Sequence, residues 1–124
     1  MTSNNLLKDE ISPFKFLLSQ NYPNPFRDST VIKYFVAYKT GVQITVCDSE
    51  GKIIEKLVDE EKDPGTYEVL FRASKDHSGN DRKLSDGYYF YRMEAGNHTC
   101  DKKWLCKNNF FGKITIKEFL HTFL

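Results

Sequence analysis

The chain lacks the features that mark several large classes of protein. Its 124 residues contain no apolar run approaching the length of about 18 that spans a bilayer, so no membrane insertion is predicted. Lys plus Arg number 18 and Asp plus Glu 17, for a formal charge of +1. Such a balance gives no electrostatic reason to expect nucleic acid or an anionic membrane as a partner. The first ten residues carry Lys8, Asp9 and Glu10 and lack the apolar centre of a secretory signal, so no signal peptide is predicted.

Motifs for catalysis and for metal or cofactor binding are also missing. The three histidines show no zinc-ligand spacing, the acidic residues no calcium-loop spacing, and the seven glycines are scattered singly rather than grouped in a phosphate loop. Asp76-His77-Ser78 contains the residue types of a catalytic triad. Three consecutive loop residues cannot place an acid behind a histidine that faces the serine. We therefore predict no catalytic residue, metal site or cofactor, and a protein that is not an enzyme.

Cysteines are too few, and odd in number, for a disulfide framework: the chain has only Cys47, Cys100 and Cys106. Cys100 and Cys106 lie on one predicted strand, roughly 20 Å apart when it is extended. A disulfide needs Cα atoms within about 7 Å, so these two should not pair. We expect all three to be small buried hydrophobic residues.

What the chain does have is aromatic content and short alternating runs. Aromatic residues make up 15%, with 7 Tyr and 10 Phe, which favours sheets over helices. From Thr30 onward, period-2 runs alternate with turn residues, the pattern of an antiparallel sandwich. With a strand near residues 14–18, this gives about seven strands. The six runs after that first strand cover residues 30–37, 42–47, 52–58, 66–72, 87–93 and 99–107. Between them lie a turn at 48–51, an acidic loop at 59–63 and a turn at 64–65.

Within these runs, alternation predicts which side chains face the core. Ile32, Tyr34 and Val36 share one face of the first run, and Tyr67, Val69 and Phe71 share one face of the fourth. Further inward candidates are Val42, Ile44, Val46, Tyr89, Tyr91, Met93, Trp104 and Cys106. Residues 73–86 read as a polar loop with Leu84 as its apolar anchor.

The stretch Gln20-Asn21-Tyr22-Pro23-Asn24-Pro25-Phe26, named here the proline clamp, directly precedes the first run. Two prolines in three residues cannot continue a helix, and each pushes the residue before it towards extended geometry. We expect a kinked, extended segment, with Tyr22 and Phe26 as apolar side chains that pack at its two ends.

The end of the chain follows a different period. Ile116, Phe119, Leu120, Phe123 and Leu124 fall on one face of a helix, although a piece that short is marginal by itself. The alternatives are docking on the sandwich or fraying. Five exposed large hydrophobic residues would favour aggregation, so we favour docking.

Several separated blocks, in order, resemble the type A C-terminal sorting domain of the type IX (Por) secretion system. They also resemble the related immunoglobulin-like domain of the flagellar hook-capping protein. The blocks extend over about residues 17–107. They include Asn21-Tyr22-Pro23-Asn24-Pro25-Phe26, Ser29-Thr30-Val31-Ile32-Lys33-Tyr34, Cys47-Asp48-Ser49-Glu50-Gly51-Lys52, Pro64-Gly65-Thr66-Tyr67, Leu84-Ser85-Asp86-Gly87-Tyr88-Tyr89-Phe90-Tyr91 and Lys102-Lys103-Trp104-Leu105-Cys106-Lys107.

The resemblance implies an all-β, immunoglobulin-like sandwich of about seven strands that directs a passenger protein to the cell surface or medium. The passenger is expected upstream in the same polypeptide, and the contacts with the translocon are between proteins. The weakly patterned residues 1–15 are predicted to be an N-terminal tether, and the sorting domain to cover residues 16–107. Residues 108–124, which continue past the end of the family's pattern, are predicted to be a C-terminal extension, helical or irregular.

The residues chosen on this basis form two groups. The structural motif comprises Asn21, Pro23, Asn24, Pro25 and Phe26 in the proline clamp, with Gly87, Tyr89 and Tyr91 in the core strand. The partner-binding residues are Lys102, Lys103 and Lys107 on the last, basic strand.

Two other functions remain open from the sequence. The first is a structural scaffold module like the hook-capping domain. The second is a carbohydrate-binding accessory domain, for which Tyr38, Tyr88 and Phe90 would form an outward aromatic platform. Cross-strand packing on a covered sheet face explains the same three aromatics.

Overall fold

Seven antiparallel strands in two sheets make up the computed structural model, which describes residues 15–107. One sheet has three strands in the order β1-β2-β5, and the other has four in the order β4-β3-β6-β7. The prediction of an immunoglobulin-like β-sandwich is confirmed. The strands are β1 (Leu17–Leu18), β2 (Ser29–Val36), β3 (Thr40–Asp48), β4 (Ile53–Lys62), β5 (Gly65–Arg72), β6 (Gly87–Ala95) and β7 (His98–Cys106).

The core lies between the sheets and is filled by alternate residues of each strand. Ile44 and Val46 of β3 pair with Met93 and Tyr91 of β6, and all four are buried. The predicted inward residues of β2, β3, β6 and β7 are likewise buried. On β5 only Phe71 is fully buried, because that strand is at a sheet edge.

A ring cluster closes one end of the core around Trp104. Its ring lies 5.1 Å from that of Phe26, 4.7 Å from that of Phe71 and 5.1 Å from that of Tyr91, centroid to centroid. These four side chains come from the proline clamp, β5, β6 and β7, so the cluster joins both sheets. Edge-to-face and tilted aromatic pairs add roughly 0.5–1.5 kcal/mol each beyond the burial of their area.

The turn between β3 and β4 forms as its residue types predict. The Asp48 carboxylate Oδ1 accepts hydrogen bonds from the backbone N–H groups of Glu50 (2.9 Å) and Lys52 (2.8 Å). Gly51 has a φ of +88°, a conformation that favours glycine.

The predicted acidic loop at residues 59–63 is wrong for all but its last residue. β4 continues to Lys62, and its charged end pairs in register with β3, from Gln43 opposite Asp59 to Thr40 opposite Lys62. Two register shifts between β3 and β4 break the alternation that the sequence pattern relies on. An edge strand tolerates charges because its outer face and free edge are solvated.

The N-terminal strand is shorter than expected, with only Leu17 and Leu18 paired to β2. Most of the predicted tether and the whole predicted extension, including its helical stripe and docking, lie outside the described residues.

Candidate functional site

The proline clamp runs from the edge of the three-stranded sheet to the edge of the four-stranded sheet. It begins after β1, bonds β2 through Tyr22, and ends where Phe26 bridges Cys106 of β7. The Tyr22–Pro23 and Asn24–Pro25 peptide bonds are both cis. All five predicted clamp residues therefore lie in one segment that connects the two sheets.

Asn21 anchors the clamp in the interior. Its backbone N–H donates to the Tyr91 hydroxyl at 2.8 Å, and its side-chain amide donates to Thr30 Oγ1 at 3.0 Å and to the Pro23 carbonyl at 3.3 Å. Tyr91 in turn donates to the Ser19 carbonyl at 2.7 Å. Burial raises the pKa of Tyr91, so its hydroxyl keeps the proton that this bond needs. One buried hydroxyl thus connects β6 to the segment that leads into the clamp.

Asn24 and Phe26 hold the end of the last strand. The Asn24 side-chain oxygen accepts from the Leu105 N–H at 3.1 Å, and the Phe26 N–H donates to the Leu105 carbonyl at 3.3 Å. The Lys107 N–H donates to the Phe26 carbonyl at 3.0 Å. The free edge of β7 is therefore bonded near its C-terminal end, where the clamp acts as a short additional strand.

Gly87 and Tyr89 define the start of β6. Gly87 has a φ of +142°, which a residue with a side chain rarely adopts, and it pairs with Cys106. The buried Tyr89 donates its hydroxyl proton to the Ser85 carbonyl at 2.7 Å. This bond fixes the turn that delivers the chain from the loop of residues 73–86 into the core strand.

Two of the three lysines chosen as partner-binding residues lie on opposite faces of β7. β7 pairs with β6 in unbroken register, so alternation puts Lys102 on the face of Trp104 and Lys103 on the opposite face. Lys103 Nζ lies 5.1 Å above the ring of Tyr88, and Lys107 follows the end of the strand. The pleat therefore points Lys102 and Lys103 in opposite directions, and the binding of a partner by the three lysines stays a prediction.

Tyr22 is not the packing residue that the sequence predicted. Its side chain is 79% exposed, whereas Phe26 is 2% exposed. The bridge from Tyr22 to Val31 places Asn21 inward, and alternation then turns the ring of Tyr22 outward. The polar neighbour occupies the interior, and the aromatic ring meets solvent.

The aromatic platform of the carbohydrate-binding alternative does not form. Tyr38 packs against Phe16 (5.0 Å between ring centroids) and His98 (6.4 Å), at the turn end of the β6–β7 hairpin. Tyr88 and Phe90 lie near the start of β6, roughly 20 Å along the strand from that turn. The three rings therefore offer no shared face to a sugar.

A buried ion pair that the sequence did not indicate holds the loop of residues 73–86. Arg82 lies 2.7 Å from Glu55 Oε1 and stacks 4.6 Å over the ring of Phe71, and His77 Nδ1 is 2.8 Å from Glu55 Oε2. Glu55 is inward-facing on β4, at the position where bulges interrupt alternation. Because Phe71 belongs to the other sheet, Arg82 connects both sheets across an open side of the sandwich.

Hydrogen bonds also define the structure of Asp76-His77-Ser78, the segment with the residue types of a catalytic triad. Asp76 Oδ1 accepts from the backbone N–H groups of Ser78 and Asn80, both at 2.9 Å, and the bond from Asn80 lowers the pKa of Asp76 most. His77 bonds Glu55 instead of either sequence neighbour. The segment is a turn tied to the sheet by its histidine.

In residues 15–107, neither the cysteines nor the metal-ligating residue types come together in a site. Burial raises the pKa of the Cys106 thiol to about 11, so it stays protonated and unreactive at neutral pH. All three cysteines are free, but only Cys106 is fully buried. No group of three or more His, Cys, Asp or Glu side chains in this part of the chain could hold a metal ion. Nor does the described part contain a helix long and apolar enough to cross a membrane.

A family model described as the secretion system C-terminal sorting domain matches residues 20–107. The match starts at the first residue of the proline clamp and ends at the residue whose backbone bonds Phe26. The chain belongs to this family. The sorting domain thus spans the clamp and all strands from β2 to β7.

The solved structure of dimeric latent PorU from Porphyromonas gingivalis contains a similar fold, with a TM-score of 0.55 and 17% sequence identity. The likeness covers 74% of this chain and 9% of that chain, so the sorting domain spans about a tenth of that protein's length. At this identity the likeness shows the fold alone. No curated protein sequence matches the chain.

Proposed function

We propose that this domain is a non-catalytic sorting signal that directs a covalently linked passenger through the type IX secretion system to the cell surface or medium. The single observation that carries the proposal is the family match, which extends over residues 20–107. The proposed organisation is a tether at residues 1–15 that leads to the passenger, a sorting module at 16–107 and an extension at 108–124.

The geometry of the clamp supports this role. Four backbone or side-chain bonds to Tyr91, Thr30, Leu105 and Lys107 fix both ends of the segment before β2. A partner that recognises the folded sandwich therefore meets a preorganised surface, which reduces the ordering cost of binding. The Glu55–Arg82 ion pair holds a loop, and Cys106 packs in the core, so these side chains have structural roles.

Within residues 15–107, no contact favours a carbohydrate-binding module, because Tyr38 lies apart from Tyr88 and Phe90. No contact of the described residues favours a flagellar scaffold either. The translocon proteins remain the proposed partners, and the cell surface or medium the proposed destination of the passenger.

Export of a reporter tests the proposal directly. The 124-residue chain is fused behind a signal peptide and a reporter enzyme, in a host with a working type IX system. We expect reporter activity on the cell surface or in the medium, and periplasmic retention in a matched host without the translocon. Equal periplasmic retention with and without the chain would refute the sorting role.

The domain limits have a separate test. Limited proteolysis of the purified chain followed by mass spectrometry should leave a protected core that begins near residue 16 and ends near residue 107. A first cleavage inside β2 to β7 would contradict these limits.

A further inference from the structure

The outer face of the three-stranded sheet carries an exposed apolar row, Tyr22, Val31 and Leu70. Tyr22 bridges Val31, and Val31 is opposite Leu70 in register, so the three side chains are neighbours on adjacent strands. Tyr22 is 79% exposed and Leu70 is 51% exposed, and Val31 is half-buried between them. The row lies on the opposite side of the sheet from the core.

The backbone of Tyr22 is held in place by hydrogen bonds. The Tyr22 N–H donates to the Val31 carbonyl and the Val31 N–H donates to the Tyr22 carbonyl, both at 2.9 Å. On one side of Tyr22, Asn21 is anchored in the interior by Tyr91 and Thr30. A solvent-exposed tyrosine on a fixed backbone presents a large contact area at low entropy cost, which is typical of an interface anchor.

The charged side chains beside the row make contacts within the domain. Lys33 and Glu68, the next outward pair along β2 and β5, lie 3.6 Å apart. On the other side, the Arg72 guanidinium donates to the Asp76 carbonyl at 3.4 Å. The Lys33–Glu68 pair balances its own charges, whereas the carbonyl bonded by Arg72 is neutral and leaves that positive charge in place. The complementary surface is therefore apolar opposite the row itself.

The exposed area of the row indicates whether it forms a stable or a transient interface. An aromatic side chain covers on the order of 200 Å², so Tyr22 and Leu70 together expose roughly 250 Å². A stable interface buries about 800 Å² on each partner. The row is too small to hold two copies of this chain together, and it suits a transient encounter.

We infer that the row Tyr22, Val31 and Leu70 is where the sorting domain docks on an apolar surface of a translocon protein, with Tyr22 as the anchor. This inference rests on the proposed sorting function. It also gives the exposed ring of Tyr22 a role that packing does not.

The reporter assay in the type IX host, with the full chain, tests the inference through Tyr22→Ser and Leu70→Ser. The matched control is Ile53→Ser, because Ile53 is 62% exposed on β4, in the other sheet. We expect exported reporter to fall about tenfold for Tyr22→Ser, the loss typical of a removed aromatic anchor. Leu70→Ser should fall by a smaller factor. Ile53→Ser should stay within about twofold, and Tyr22→Phe should retain export because the ring remains.

Thermal unfolding of the purified variants separates docking from folding. Each substitution is on an exposed side chain, so the melting temperatures should stay within about 2 °C of that of the unsubstituted chain. Should Tyr22→Ser lower the melting temperature further, Leu70→Ser and Tyr22→Phe carry the comparison. Loss of export in a fully folded Tyr22→Ser chain is the supporting result.

The remaining outcomes each overturn the inference, in distinguishable ways. Export of the Tyr22→Ser and Leu70→Ser chains at the unsubstituted level removes the row while leaving the sorting function standing. An equal loss in Ile53→Ser shows that general surface hydrophobicity matters and not this row. Failure of the unsubstituted chain to export the reporter removes both proposals. A dimer in sedimentation that Tyr22→Ser dissociates assigns the row to a second copy of the chain.

Discussion

Removing one buried hydroxyl should weaken the sandwich more than its size suggests. Tyr91→Phe keeps the ring, which lies 5.1 Å from that of Trp104, and deletes only the oxygen. That oxygen accepts from the Asn21 N–H at 2.8 Å and donates to the Ser19 carbonyl at 2.7 Å. Both partners lose their hydrogen bond at once, without any change in the volume of the core.

The expected loss follows from the exposure of those two partners. Asn21 is 2% exposed, so water cannot replace the missing bond, and an orphaned buried donor costs about 1–3 kcal/mol. Ser19 is exposed and its carbonyl can be partly rehydrated, which adds roughly 1 kcal/mol. We expect Tyr91→Phe to lower the free energy of unfolding by about 3 kcal/mol.

Urea unfolding followed by circular dichroism measures this loss. With a slope of about 1–2 kcal/mol per molar urea for a domain of this size, the midpoint should fall by roughly 2 M with the slope unchanged. The matched control is Tyr67→Phe, which deletes an exposed bond from the Tyr67 hydroxyl to the Asp63 carbonyl at 2.7 Å. It should cost less than about 0.5 kcal/mol. Equal losses in the two variants would refute the reasoning that the clamp depends on Tyr91.

Three further predictions concern other parts of the core. Burial raises the pKa of the Cys106 thiol from 9.0 to about 11, so the unfolded chain releases this proton first. The unfolding free energy should therefore fall by about 2 kcal/mol from pH 9 to pH 11, and less in Cys106→Ala. Glu55→Ala leaves Arg82 without its carboxylate partner and should lower the free energy of unfolding, measured in urea, by about 3 kcal/mol. The control is Asp101→Asn, which removes the exposed ion pair with Arg92, and an equally large loss there would contradict the prediction. Phe26→Ala should lower the free energy of unfolding by about 4 kcal/mol, because Phe26 is buried, and Tyr22→Ala by less than about 0.5 kcal/mol, because Tyr22 is exposed. Similar melting temperatures of the two variants would contradict this prediction.

The strands that were predicted correctly are those with regular alternation and a clear turn. β2, β3 and β6 each place every second side chain in the core, so their sequence pattern shows directly which side chains face inward. β4 was predicted only in part, because Glu55 faces inward there and acidic residues 59–61 face solvent on a paired edge. Local polarity alone reads that segment as a loop.

The candidate site shows a similar division. The proline clamp was found from its residue types, and Phe26 was correctly expected to pack, but Tyr22 and Asn21 exchange the environments that hydrophobicity suggests. Nothing local to residues 20–26 shows that Tyr91, far along the chain, supplies a buried acceptor for the Asn21 N–H. The lysines of β7 were grouped by closeness in sequence, which ignores the alternation of the strand.

By itself, the sequence determined the class of fold, the order of most strands, the position of the clamp and, through its ordered motifs, the sorting-domain family. These depend on period, turn chemistry and residue identity, which are properties of neighbouring residues. Only the tertiary structure decided that Asn21 is buried, that Tyr22 is presented to solvent, and that Arg82 joins the sheets through Glu55 and Phe71. Each of those outcomes depends on a partner many residues away, and such long-range contacts are set by strand register and the closure of the two sheets.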